Sequence, residues 1–242
     1  MKKKIIENIK TILYALIIAL FIRSFFFQPF YIPSSSMEPN LLIGDRLFVS
    51  KYSYGYSRHS LPFSPKIFLG RIFSKMPKRG DVIVFKTPAD NRTDYIKRLI
   101  GIPGDTIQFL NGDLYLNGNM IIKEKLNLSL KIQCGNEIFD ANFFHESLPN
   151  GTKYMAAYRK EGTQLNSDKY IVPMNHYFFM GDNRDCSKDS RFLSSVGYVN
   201  IENLVGKAEL IFFSNDKKKG SLLKFWTFKK SLRFERFFEK IG

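Results

Sequence analysis

The first ten residues carry Lys2, Lys3, Lys4 and Lys10 with only Glu7 opposing, and the chain then turns apolar without a break from Ile12 to Ile22. Arg23 and Ser24 interrupt the run and Phe25-Phe26-Phe27 resume it, so residues 11–27 have the length and apolarity of a short membrane-spanning helix. Arg23 lies near one end, where its side chain can extend to the interface. A cleavable leader shares this layout but ends in a small-x-small site, and Phe25-Phe26-Phe27-Gln28-Pro29 contains none. A buried core helix is the other alternative. Lys2, Lys3, Lys4 and Lys10 precede the run, which places residues 1–10 in the cytoplasm and the remainder outside. No second stretch of this kind follows, and the pattern predicts a single span.

Beyond the anchor, alternation and turn residues predict mostly strands. Residues 30–40 (FYIPSSSMEPN) read as extended chain and turn. Strands are expected at 46–50 after Gly44-Asp45, at 82–85, and at 95–100, ending at Gly101-Ile102-Pro103-Gly104-Asp105. Residues 51–79, with Pro62, Pro65 and Pro77, read as loop. A hairpin is expected around Asn111-Gly112, from Ile107 to Leu116. The pattern weakens from about 119 to 169, which reads as an insertion of irregular strands. Residues 170–180 form one apolar strand running into the polar loop 181–191, and 205–213 form the last strand. In the tail, Phe234, Phe237, Phe238 and Ile241 fall at helical spacing among nine Lys or Arg and three acidic residues between Asp216 and Gly242, the pattern of a basic aromatic helix suited to a membrane surface.

Composition adds two constraints. A net charge of +15 calls for a polyanionic neighbour, either nucleic acid or an anionic membrane. The three histidines, His59, His145 and His176, and two cysteines, Cys134 and Cys186, form no zinc-ligand pattern, so no metal site is expected. The 52-residue gap between the cysteines neither requires nor excludes a disulfide, and two free thiols are the expectation.

Three segments carry candidate chemistry: Pro33-Ser34-Ser35-Ser36-Met37-Glu38-Pro39 with Leu41 to Asp45; Tyr95-Ile96-Lys97-Arg98-Leu99-Ile100-Gly101-Ile102-Pro103-Gly104-Asp105; and Gly181-Asp182-Asn183-Arg184-Asp185-Cys186-Ser187-Lys188-Asp189-Ser190-Arg191. Arg79 to Phe85 is a fourth, weaker match. Taken singly, each has a plainer meaning: a serine-rich linker, a solvated lysine in a strand, a charged surface loop. Their order and spacing after an N-terminal anchor resemble the bacterial type I signal peptidases, over most of residues 11–213.

The resemblance implies a mainly β fold: a coiled antiparallel β-sheet catalytic domain over 28–213, with an inserted β-rich cap at about 106–172, after one transmembrane helix and before a basic aromatic tail at 214–242. It implies a serine endopeptidase that removes signal peptides from secreted preproteins after small-x-small sites. Ser36 would be the nucleophile and Lys97 the base, Ser34 would stabilise the oxyanion, and Ser187 would hold the lysine amine. Asp182, Asp189, Arg191 and Arg98 would brace the site by charge pairing. Ile32, Pro33, Met37, Leu41, Tyr95 and Ile96 would line shallow pockets for small side chains. No cofactor is expected. The implied partners are preprotein signal peptides, the lipid bilayer and, as a further class, the secretion machinery, but not nucleic acid. The implied location is the bacterial cytoplasmic membrane.

Chemistry is consistent with that assignment. A serine hydroxyl needs a base, no histidine lies in the matched segments, and a lysine serves as one only where burial lowers its pKa from about 10.4. Cys186 stands where the family commonly has Asn, and Ser35 where Gly is frequent. Two alternatives stay open on sequence alone: a self-cleaving Ser–Lys protease of the repressor type, against which the apolar anchor argues, and a membrane-tethered binding protein with a basic surface.

Overall fold

In the computed structural model, residues 2–65, 67–216, 218–220 and 229–242 are described. The chain opens with helix α1 (Lys2–Phe25). It is apolar around its circumference from Ile12 to Ile22 and exposed along nearly its whole length, so its apolar side chains add little to the core. At 1.5 Å per residue its 24 residues reach about 36 Å, enough to cross a bilayer core of about 30 Å. It begins nine residues before the predicted 11–27 segment and ends two earlier, because Phe27 opens a strand.

The strands are β1 (Phe27–Tyr31), β2 (Asp45–Ser50), β3 (Val82–Lys86), β4 (Asp94–Gly101), β5 (Thr106–Leu110), β6 (Asp113–Leu116), β7 (Asn119–Met120), β8 (Ile122–Cys134), β9 (Glu137–Ser147), β10 (Lys153–Arg159), β11 (Tyr170–Ile171), β12 (His176–Met180), β13 (Val199–Asn200) and β14 (Leu204–Ser214). They form a seven-stranded sheet in the order β1-β2-β14-β3-β4-β12-β13, a three-stranded sheet β10-β9-β8 and a four-stranded sheet β11-β5-β6-β7. All their pairings are antiparallel. The mainly β architecture with one N-terminal helix is the expected one. Pro29 sits in β1, an edge strand, where a missing N–H costs no ladder bond. The hairpin between β5 and β6 turns on Asn111 and Gly112, both at positive φ (53° and 83°), the geometry an Asn-Gly turn favours.

Four expectations need correction. The stretch 119–169 is largely regular: β8 and β9 pair over most of their lengths, and β10 adds to β9. The single strand expected at 170–180 is two, β11 and β12, because Pro173 and Asn175 (φ 61°) turn the chain between them. The C-terminal aromatics lie on no helix: Phe234–Arg236 is one 3-10 turn, Phe238 is at φ 63°, and Lys240 bridges to Leu210 of β14. The turn forms because the Phe237 ring meets Phe213 at a tilt, with ring centroids 5.5 Å apart, and Ile241 packs against the core beside β14. The cysteines are not free: Cys134, ending β8, is bonded to Cys186, with Cα atoms 5.6 Å apart. The fold brings the tip of the β8–β9 hairpin to the 181–191 loop, which a sequence gap cannot reveal.

The C-terminal segment is clasped by charge. Asp45 is fully buried, and its carboxylate accepts from Arg236 Nη2 (2.8 Å), Arg236 Nε (3.2 Å), Ser214 Oγ (2.6 Å) and the Leu42 N–H (2.8 Å). Arg233 Nη1 lies 3.8 Å from the same carboxylate, so losing Arg236 leaves buried Asp45 with only the more distant of its two cations. Arg236→Ala is therefore expected to destabilise the domain by about 2–4 kcal/mol, read as a lower unfolding midpoint in detergent. An unchanged midpoint would mean that the tail merely lies against the domain.

Candidate active site

Strand β4 lies between β3 and β12 and carries Lys97 and Arg98 side by side. Lys97 is 4% exposed. Its Nζ donates to Ser36 Oγ at 2.7 Å and to the Ile96 carbonyl at 2.9 Å, and lies 5.5 Å from the Tyr95 ring centroid. Burial lowers its pKa from 10.5 to about 8, while the carboxylates of Asp189 and Asp182 hold back part of the fall. A fraction of the amine is therefore unprotonated near neutral pH, which allows it to act as a base.

Ser36 sits in the turn between β1 and β2. Met37, fully buried, anchors that turn, and the Leu41 N–H donates to the Met37 carbonyl. Asn183 holds it from the other side: its backbone N–H donates to the Ser36 carbonyl (3.2 Å) and its Nδ2 to the Ser35 carbonyl (3.1 Å). Gly181 allows this close approach, since a Cβ there would lie 2.4 Å from the Ser36 carbonyl oxygen and 2.2 Å from Ser187 Oγ. Ser34 is exposed, its Oγ 3.4 Å from Ser36 Oγ.

Arg98 forms a bidentate pair with Asp182, at 2.8 Å on both arms, with both side chains fully buried, and it also donates to the Gly80 carbonyl. Asn40 Nδ2 donates to Asp182 at 2.7 Å and to the Met155 carbonyl, joining the turn after Ser36 to the cap strand β10. Asp189 accepts from the Gly181 N–H (2.9 Å) and from Arg191 (2.9 Å). Burial alone would raise its pKa, but the Arg191 guanidinium holds it below the usual range.

Not every expected residue takes its expected place. Ser187, predicted to hold the lysine amine, makes no hydrogen bond to it. Its hydroxyl is buried, makes no hydrogen bond of normal geometry among the described residues, and lies beside the Asp189 carboxylate, whose pKa it helps to lower. Pro33, Tyr95 and Ile96 do line an open groove of about 650 Å³ with Ser34, Ser36 and Lys97. Ile32, Met37 and Leu41 do not. They are buried against Val82, Val84 and Val205 beneath the groove, where apolar packing takes precedence over display. Ile43 and Gln133 contribute to the walls in their place.

Several residues at the site went unpredicted. Asn183 and Arg184 lie inside the matched 181–191 segment, so position alone marked them. Arg184 pairs with Glu146 of β9 through two bonds (2.9 and 2.7 Å), and the hydroxyls of Tyr154 and Tyr158 donate to the same carboxylate, all four side chains being buried. Nothing in the sequence signals Glu146. The Cys134–Cys186 bond adds a covalent tie between cap and loop one residue before Ser187.

The model of the family described as "Signal peptidase, peptidase S26" matches residues 5–213. A signal peptidase I of Rickettsia bellii is 38% identical, covering 96% of this chain and 84% of its own length. A signal peptidase I of Rickettsia conorii is 41% identical, covering 83% of this chain and 77% of its own. A crystal structure of a signal peptidase I from Enterococcus faecalis is 29% identical, covering 55% of this chain and 97% of that one, with a TM-score of 0.32.

The buried Arg98–Asp182 pair gives a direct test of the frame. Asp182→Asn strips the carboxylate from a fully buried guanidinium and is expected to cost about 3–5 kcal/mol, measured by chemical unfolding. A loss under about 1 kcal/mol would show that water or another acceptor satisfies Arg98.

Proposed function

The chain belongs to the signal peptidase family, peptidase S26, a family of serine endopeptidases, and from that premise we propose that it removes N-terminal signal peptides from preproteins through a Ser36–Lys97 dyad. One observation carries the assignment: a buried amine, its pKa lowered to about 8, donating at 2.7 Å to the hydroxyl of Ser36 at the floor of an open groove. Family membership removes the two competing readings, a repressor-type self-cleaving protease and a tethered binding protein.

The neutral Lys97 amine takes the Ser36 proton as Oγ attacks the scissile carbonyl. Negative charge on the former carbonyl oxygen is met by the Ser36 N–H and the Ser34 hydroxyl, and one such donor is worth about 3 kcal/mol. The resulting ammonium gives its proton to the departing amine, and the signal peptide stays bound to Ser36 as an ester. Lys97, neutral again, deprotonates a water that attacks this ester, frees the signal peptide and returns the proton to Ser36. The pairs Arg98–Asp182 and Arg191–Asp189 keep β4 and the 181–191 loop in register while charge moves. The groove bounded by Pro33, Tyr95 and Ile96 receives small side chains, giving cleavage after small-x-small sequences. With α1 as the single span and the N-terminus in the cytoplasm, the domain faces outward, where translocated preproteins emerge.

Purified chain in detergent, given a preprotein with an Ala-x-Ala site, is expected to cut it. Ser36→Ala and Lys97→Ala are each expected to lower kcat by more than about 10³-fold. The wild-type rate is expected to rise with pH through an apparent pKa near 8, because only the unprotonated amine accepts the serine proton. Near wild-type activity in Lys97→Ala would overturn the dyad.

A further inference from the structure

A second large concavity, of about 660 Å³, lies where α1 meets the domain. Its walls come from Arg23 in the last turn of α1, from β1, from residues 58–64 and from the turn between β3 and β4. Four cations line it, Arg23, Arg58, Lys86 and Arg92, against two carboxylates. Both carboxylates are already engaged. Asp94 is 2.9 Å from Lys86 Nζ, and Asp90 accepts from the N–H groups of Arg92 and Thr93 and from the Thr93 hydroxyl. Arg23, Arg58 and Arg92 form no ion pair among the described residues. Beneath them lies Lys51, 2% exposed, whose Nζ reaches only the carbonyls of His59 and Ser60.

The surplus positive charge registers on neighbouring bases. Burial lowers the His59 imidazole to about 4, and Arg58, Lys86, Arg71 and Lys51 add to the fall. Burial also lowers the Lys51 amine to about 8; Asp94 opposes this, while Arg23, Lys86 and Arg71 reinforce it. The groove thus carries uncompensated positive charge.

An exposed apolar loop borders the groove where α1 ends. Phe63, a lining residue, is fully exposed, and Leu69, Phe73 and Met76 in the same loop are 87%, 79% and 73% exposed. This loop is fastened to α1: the Tyr56 hydroxyl donates to the Phe25 carbonyl (2.9 Å), the two rings meet at 5.6 Å, and Tyr56 bridges to Ile72. A cationic cleft beside exposed aromatics, at the depth where a spanning helix leaves the hydrocarbon, matches a headgroup phosphate with its acyl chains alongside.

We propose that this groove holds the phosphate of an anionic phospholipid from the leaflet in which α1 ends, with Phe63 lying among the acyl chains. The proposal rests on the membrane topology given above only for which leaflet supplies the lipid.

The test uses full-length chain carrying Ser36→Ala in neutral detergent, titrated separately with phosphatidylglycerol, phosphatidylcholine and inorganic phosphate. Lipid retained in native mass spectrometry and the shift in unfolding temperature are the two readouts. Phosphatidylglycerol is expected to act at roughly tenfold lower concentration than phosphatidylcholine, and Arg58→Gln/Arg92→Gln to abolish that difference. Arg23→Gln, at an exposed helix end where folding is not at stake, is expected to reduce it. Equal response to both lipids, or a preference surviving these substitutions, would overturn the proposal. So would inorganic phosphate alone reproducing the full shift, which would make the groove a site for free anions. With Ser36 restored, the Arg58→Gln/Arg92→Gln chain is expected to cut preprotein in detergent at the unaltered rate. Absence of a lipid preference in the chain with Arg58 and Arg92 intact, with cleavage present, would sink this site alone, and absence of cleavage with the lipid preference present would sink the protease assignment alone.

Discussion

Lys97 and Arg98 are consecutive residues of β4, both are buried, and only Arg98 has a carboxylate partner. Strand geometry sends neighbouring side chains to opposite sides of the backbone, so the two cations have separate surroundings. Arg98 meets Asp182 head-on and keeps its charge. Lys97 meets a hydroxyl and a carbonyl, neither of which neutralises an ammonium, and its pKa falls. The fall from 10.5 to about 8 corresponds to roughly 3 kcal/mol of lost stability when the amine is charged. The unfolded chain holds that proton more tightly than the folded one, so the cost is full below about pH 8 and disappears as pH rises through 10.5.

Keeping such an amine in place requires a rigid surround, and much of the chain supplies it. The seven-stranded sheet fixes β4 between β3 and β12. Asn183 and Gly181 press the 181–191 loop against the serine turn, Asn40 ties that turn to the cap, and Glu146 with Arg184 locks the cap sheet to the loop. The Cys134–Cys186 bond closes the same junction covalently. These ties join segments far apart in sequence, so the site exists only once both the sheet and the cap have formed.

What the sequence disclosed follows from which residues had local causes. Strands β3, β4 and β14 were legible as short β-branched and aromatic apolar runs bounded by turn residues, and the β5–β6 hairpin because Asn111-Gly112 marks it. Ser36, Lys97, Asp182 and Asp189 were legible as a pattern before any geometry. β1 was hidden because Phe27 continues the apolar run of the anchor. β8 carried a signal, Leu126, Leu128, Leu130 and Ile132 in alternation, but its lysines and exposed leucines do not mark one side as core. The disulfide, the Glu146–Arg184 pair and the folding-back of Arg236 onto Asp45 depend on long-range approach, which periodicity does not encode. Ile32, Met37 and Leu41 are apolar and adjacent to the serine, and adjacency alone does not tell that their side chains are buried in the core rather than displayed in the groove.

Only Phe26 stands between the end of α1 and the start of β1, and its carbonyl is taken by the Lys51 N–H. An anchor joined to a soluble domain by a floppy tether lets that domain sample many heights above the bilayer. A joint of one residue, itself hydrogen-bonded, fixes a single height. On the proposed mechanism Ser36, ten residues past that joint, would then work like a blade on a fixed stand. A preprotein whose apolar segment is also seated in the membrane presents its peptide bonds at depths set by how many residues it needs to climb out. On the proposed function, which bond is cut would then depend on chain length measured from the lipid, as well as on the side chains flanking it.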